Sequence, residues 1–442
     1  MRMNVTIAAI AVLTFCACPW TAAAQDSAEL LTRMKEMEAR IKSLEAEVQA
    51  LKSQPPAPTT QVPQAAIPPP TVAPEPTVMP PAQAAAAEPA QVTLGGAGGG
   101  AAKALNPDIA VIGDFLGAIG NGANRSTPSL EMHESEVAFQ AILDPYARAD
   151  FFLSFGEQGV NLEEGYLTFP ALRGGLNLRV GKMRAAFGKV NTLHNHVLPW
   201  TDRPLVTQNL VGGEDGINEA GMALSRIFAG PKQIFLEATA QIFRGDSDDL
   251  FHSYRRSDVS TVEHLRGYRD LSESTNLDLG LSYSRGHSAI GPAVVNQLYG
   301  IDATVRWKPL RRSIYHSFLS RNEFIWSRIQ MPGSTVTPFG FYVSGDYQFA
   351  RRWFAGARFD RSERFGRPGS LPGMPNDLLP GPLSLNRLLQ DTGGSLVLTY
   401  WPSEFSQIRA QLRRTRYGEN LTANELLFQF QFSIGAHGAH PF

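Results

Sequence analysis

From about residue 107 onward, hydrophobic and polar positions alternate with a period of two. In the run ELLFQFQFSIG, Leu426, Phe428, Phe430, Phe432 and Ile434 share one parity, while Leu427, Gln429, Gln431, Ser433 and Gly435 share the other. This rhythm sends successive side chains to opposite faces of a β-strand. It recurs in 276–284, where Leu277, Leu279, Leu281 and Tyr283 oppose Asn276, Asp278, Gly280, Ser282 and Ser284, and again in 299–307 and 339–349. The polar faces carry charges that a dry core would not accept without partners. Water must therefore reach one side of each strand. An apolar row on the other side suits lipid; an edge strand of a water-soluble sandwich is the alternative, disfavoured because the same pattern recurs along most of the chain.

Turn chemistry sets the topology. Asp144-Pro145, Pro170 to Gly175, Gly230-Pro231, Lys308-Pro309 with Arg311-Arg312, Arg351-Arg352 and Trp401-Pro402 are short breaks between alternating runs. Longer polar segments fall near 118–129, 188–216, 245–256, 287–296, 330–337 and 365–391. Short turns alternating with long loops give an all-β fold, a transmembrane antiparallel β-barrel of about sixteen strands. The strand near Val259 to Asp270 is the weakest in pattern and reads equally as loop. A ring of this size is wide enough for an aqueous channel, whereas eight strands would be filled by side chains.

The first hundred residues are different. Arg2, an apolar run from Val5 to Cys18 and the small residues Ala22-Ala23-Ala24 predict a secretory signal peptide over 1–24. Acylation at Cys18 is the alternative. Cys16 and Cys18 are the two cysteines of the chain, so cleavage after residue 24 leaves no disulfide and no thiolate site. Leu30, Met34, Met37, Ile41, Leu44, Val48 and Leu51 alternate steps of four and three, predicting a short coiled-coil helix over 25–53. Residues 54–106 are rich in Pro, Ala and Gly and read as a linker, leaving 107–442 for the barrel.

Composition narrows the function. Lys plus Arg is 40 and Asp plus Glu is 41, with no basic stripe, so nucleic-acid binding is excluded. A mean hydropathy of −0.16 fits a barrel whose lipid-facing residues are diluted by lumen-facing ones. No GxSxG motif brings the serines, histidines and acids together, so no enzyme is predicted. Alternation assigns Arg148, Asp150, Arg179, Asp278, Asp302, Arg306, Asp346, Arg358, Asp360, Arg409 and Arg413 to the lumen, where rings of charge select solutes. The competing reading is a wall whose charges neutralise one another.

The loop from Lys189 to Asn218 holds Val197, Leu198, Trp200, Leu205, Val206, Leu210 and Val211, too many apolar residues for an exposed loop. It is expected to fold inward and narrow the pore, with Trp200, Asp202, Arg203, Glu214 and Asp215 at the constriction; packing between subunits at the outer rim is the alternative. His194 with His196, and His437 with His440, each supply two imidazoles where a metal site needs three or four donors. No metal or other cofactor is assigned.

The run RVGKMRAAFGKVN from Arg179 to Asn191, the preceding LEEGYLTF, the KP and WP turns and the final strand ending in Phe442 resemble the phosphate-selective porin O/P family and related outer-membrane porins over roughly 107–442. That resemblance implies a sixteen-stranded, usually trimeric barrel passing small anionic solutes by diffusion. The expected partners are outer-membrane lipid, two further copies of the chain, small hydrophilic solutes and, through the amino-terminal helix, peptidoglycan. A structural tether between outer membrane and cell wall is the second reading of the same architecture.

Overall fold

The computed structural model describes residue 42 and residues 107–122, 128–156, 159–231, 234–247, 250–366 and 384–435. The chain divides into two units, 1–91 and 92–442. Of the first, only Lys42, helical and exposed, is described. The signal peptide, the heptad seam, the linker, the His437/His440 pair and Phe442 lie outside the described residues.

In the second unit the alternating runs form β1 (Asp108–Gly120), β2 (Leu130–Asp144), β3 (Ala147–Gly156), β4 (Gly159–Leu172), β5 (Leu176–Arg184), β6 (Asn218–Ala229), β7 (Phe235–Phe243), β8 (Ser260–Ser272) and β9 (Thr275–His287). They continue as β10 (Val295–Trp307), β11 (Ser317–Met331), β12 (Ser334–Val336), β13 (Phe339–Ala350), β14 (Trp353–Gly366), β15 (Ser384–Ser403), β16 (Ser406–Arg416) and β17 (Thr422–Gly435). β12 is a three-residue ribbon at the tip of β11, which pairs directly with β13, so sixteen strands make the wall. Each wall strand is antiparallel to its neighbours, and β1 pairs with β17 from Ala110 opposite Gly435 to Gly120 opposite Glu425. The sheet is thereby closed. Closure leaves no unpaired edge, which a backbone surrounded by hydrocarbon requires.

The expected parity is reproduced in three dimensions. On the paired strands β9 and β10, Leu279, Leu281, Tyr299 and Ile301 are exposed on the outside, while Asp278, Ser282, Ser284, Asp302 and Thr304 are buried on the inside. Aromatic side chains gather near the short-turn end: Tyr146, Tyr315, Tyr347, Phe349, Trp353 and Phe405 are exposed there, and Trp353 stacks on Tyr400 at 4.5 Å. An apolar belt edged by aromatic residues is the outer surface that a bilayer selects.

Three sequence expectations change. The doubtful segment near 259–270 is the regular strand β8, paired on both sides. The break expected at Trp401-Pro402 lies three residues later, at Glu404-Phe405. β15 absorbs the proline through a register irregularity between Tyr400 and Ser403, where no ladder N–H is needed from it. Two connections at the long-loop end are short, after Gly156 and between Arg416 and Thr422, so length alone does not sort the two ends. Among the described residues no helix is long and apolar enough to cross a membrane, which says nothing of crossing by strands.

Candidate functional site: the loop inside the barrel

The connection from Arg184 to Asn218 forms two 3-10 turns, η1 (Val190–Thr192) and η2 (Asn195–Val197), and a short helix, α1 (Leu205–Leu210). Its apolar residues do not face solvent. Phe187, Val190, Leu198, Trp200, Val206, Leu210, Val211 and Ile217 pack with the wall residues Phe243, Val262, Leu298, Ile325 and Tyr342 in one buried cluster. These wall residues come from β7, β8, β10, β11 and β13, so the loop lies within the ring. The hydrophobic surplus in the loop sequence is spent on this contact.

The neck is closed by one side chain. Asn191 donates from Nδ2 to the carbonyls of Ala185 (2.9 Å) and Ile217 (3.1 Å), and its Oδ1 accepts from the Ile217 N–H (2.9 Å). Gly216 makes this possible: its φ is +64° and a Cβ there would sit 2.0 Å from Asn191 Oδ1. Farther along, Arg203 spans the loop from within, donating to the carbonyls of Val190 (3.1 Å) and Leu193 (2.7 Å) and to Asn195 Oδ1 (3.0 Å). Burial pushes the Arg203 guanidinium down to about 9, aggravated by the charge of Arg184.

Polar ties then bind the loop to the wall. Glu323 of β11 accepts from the Lys189 and Val190 N–H groups, Ser282 of β9 accepts from the Gly188 N–H, and Lys189 Nζ lies 3.4 Å from Asp278. On the other flank Asp202 Oδ2 accepts from Arg358 of β14 and Arg413 of β16, both at 2.9 Å. Burial alone would raise the Asp202 carboxyl, but Arg358 and Arg413 outweigh it and hold it down to about 2. Trp200 is fully buried, set edge-on to Tyr342 at 5.2 Å, with the Arg358 guanidinium 4.8 Å above its ring. Arg409 donates to the Trp200 carbonyl (3.2 Å) and to Gln429 Oε1 (2.7 Å). The α1 N-terminus meets Asp360, which accepts from the Leu205 N–H at 3.2 Å.

The residues expected in the lumen thus fall into distinct groups. Arg358, Asp360, Arg409 and Arg413 converge on residues 200–205 of the loop. Asp278 receives a bidentate Arg266, Asp346 pairs with Arg321 at 3.0 Å, and Asp302 lies 3.6 Å from His264. Arg148 and Asp150 pair with each other at 2.7 Å, Arg179 lies over the Tyr166 ring at 5.3 Å, and Arg306 is half-buried close to the short-turn end of β10. In the loop, Trp200, Asp202 and Arg203 are interior. Glu214 and Asp215 are exposed, apart from the Trp200–Asp202 contact, because Glu214 turns to His133 on β2 (2.8 Å) and the Asp215 carbonyl accepts from Arg184. Protein packed around the rest of Glu214 works against its ionisation although the side chain reaches the surface, and the His133 hydrogen bond and charge outweigh this and hold its carboxyl low.

A second cluster was not anticipated as a unit. His194, at the start of η2, places Nδ1 2.7 Å from Glu136 Oε2 and 3.0 Å from Glu163 Oε2, and Nε2 2.7 Å from Glu164 Oε2. His196 Nδ1 lies 3.6 Å from the same Glu136 oxygen. Burial pulls the His194 imidazole down, but its hydrogen bonds to Glu136, Glu163 and Glu164 prevail and hold it well above its ordinary value. Glu134 and Glu136 two apart on β2 are legible as inward neighbours; that β4 and the loop bring their charges to the same point is not.

These features define a membrane-type β-barrel whose lumen is crossed by one long loop. No protein-family model matches the chain. A protein of Aquifex aeolicus (strain VF5), described only as uncharacterized, is 28% identical over 406 residues, covering 77% of this chain and 81% of that protein. Among solved structures, OprB of Pseudomonas putida superposes with a TM-score of 0.51 at 11% identity, covering 76% of this chain and 95% of that one. The anion-selective porin from Comamonas acidovorans gives 0.50 at 10% identity, covering 74% and 99%. At such identities the likeness is one of fold, a porin-type barrel.

Proposed function

We propose that this protein is an outer-membrane porin through which small hydrophilic solutes diffuse passively, with the loop 185–217 as its constriction. The observation that carries this reading is the closed sixteen-strand ring with an apolar exterior and a charged interior, crossed by a loop anchored to wall residues. Selectivity for anions, and membership of the phosphate-selective porin O/P family, are finer proposals that rest on the resemblance of the 179–191 run and the KP and WP turns; Arg358 and Arg413 are already paired with Asp202, Asp360 and Glu425 and add nothing to either. A homotrimer is supported by a shallow outer groove where Ser320, Gly345 and Ala357 stand in register, small or polar where lipid would favour bulky apolar groups. We further assign 1–24 to a signal peptide, 25–53 to a periplasmic helix able to reach peptidoglycan, and 54–106 to a linker.

The test is conductance. Full-length protein in planar bilayers should give discrete steps in potassium chloride, and deleting Val197 to Gly213 should enlarge them. A folded barrel that passes no current would favour the tether reading. Steps unchanged by the deletion would remove the loop as the constriction.

A further inference from the structure

We propose that Glu136, His194 and His196, with Glu163 and Glu134 beside them, form a binding site for a divalent transition cation of the zinc type, joining the inner loop to β2 and β4. One donor atom from each of Glu136, His194 and His196 lies within 4.8 Å of the others, and the same holds for Glu134, Glu136 and Glu163. All five residues are buried. The two sets share Glu136, so the donors surround one region rather than being strewn along the wall.

Glu134 supplies an independent indication. It is 6% exposed, and neither carboxylate oxygen has a hydrogen-bond partner among the described residues. A buried carboxylate without a donor carries its full desolvation cost, and a cation is the partner that would offset it. The charge balance points the same way. Glu134, Glu136, Glu163 and Glu164 gather here as four carboxylates against two basic side chains, His194 among them and Arg184 3.5 Å from Glu163. A dication coordinated by two imidazoles and carboxylate oxygen is the donor set that zinc accepts.

Tetrahedral zinc at its usual bond lengths would hold donors about 3.4 Å apart; Glu136 Oε2 lies 2.7 Å from His194 Nδ1 and 3.6 Å from His196 Nδ1, so the donors need only shift modestly to admit the ion. His194 and His196 lie on a 3-10 turn, not in the sheet, and that turn can supply the movement. Occupation would displace protons from imidazole nitrogen and replace hydrogen bonds to Glu136 by metal bonds. The site does not depend on whether the barrel conducts.

Zinc chloride should be titrated calorimetrically into full-length protein in detergent near neutral pH. One tight site per chain is expected, retained when His437 and His440 are both changed to alanine, and weakened at least about tenfold by His196→Gln or Glu136→Gln in protein whose heat-modifiable gel migration shows a folded barrel. Should those variants not fold, cobalt(II) added to the wild type gives the same answer by absorption: an intense low-symmetry visible spectrum supports the site. A spectrum identical to hexaaquo cobalt, or binding that vanishes with the tail histidines and survives His196→Gln, overturns it.

Discussion

Asp202 in the inner loop and Arg413 on β16, 211 positions apart in the chain, meet at 2.9 Å, and Arg358 reaches the same carboxylate oxygen from β14. Two guanidiniums are thus drawn onto one loop residue, and each has a second carboxylate, Asp360 for Arg358 and Glu425 for Arg413. Removing one partner of a buried charge pair typically costs about 3–5 kcal/mol, because the other charges stay behind. Asp202→Ala is therefore expected to free this flank of the loop while the wall stays closed. Single-channel recordings should show larger and noisier steps; quiet steps of wild-type size would mean that the apolar packing of Trp200 and Val206 holds the loop unaided.

The same carboxylate sets a pH limit. The folded value of Asp202, about 2, lies below its ordinary 3.8, so its ionised form favours the anchored loop. That contribution is complete above the ordinary value and is lost as the pH falls through the folded one. Loop accessibility to an acid-active protease should stay constant from neutrality to about pH 4 and rise only below it. A rise beginning near pH 6 would assign loop release to other groups.

At the neck, Asn191→Ala removes three hydrogen bonds; the Ala185 and Ile217 carbonyls keep the N–H groups of Phe187 and Ala185 as donors, but the buried Ile217 N–H loses its acceptor. An unmatched buried group costs about 1–3 kcal/mol. Gly216→Ala should be harmful for two separate reasons, its positive φ and the 2.0 Å approach to Asn191. Both variants are expected to fold into barrels whose loops are cut faster between residues 185 and 217. Equal cleavage rates in Gly216→Ala and wild type would show that the neck opens without cost.

On the outer wall, Leu281 is 55% exposed in the middle of β9. Arginine at the bilayer midplane of a barrel costs about 2–4 kcal/mol. Leu281→Arg should lower the denaturant midpoint for refolding into lipid vesicles accordingly. An unchanged midpoint would place this face against protein, or the belt away from hydrocarbon.

Much of this could be read from residue order. A strand's two faces are set by neighbours one and two positions away, so the alternation along each run is a local property of the chain and counting the runs gives about sixteen strands; the apolar surplus of the 189–218 loop is legible too, but whether it folds inward or packs at the rim is not. The doubtful strand β8 and the proline at residue 402 were harder, since pairing on both sides can carry a weak or interrupted pattern.

What the linear chain cannot contain is the partner of each charge. Asp202 finds Arg358 and Arg413, and His194 finds Glu136, Glu163 and Glu164, because ring closure and the crossing loop bring together segments whose separations carry no periodic trace. The ring determines that these residues face inward; the path of one loop decides which of them are locked in pairs and which gather around His194. Sequence thus determined the faces, through local stereochemistry. Tertiary structure decided the contacts, because electrostatic pairing depends on distance in space, and no local rule of the backbone supplies it.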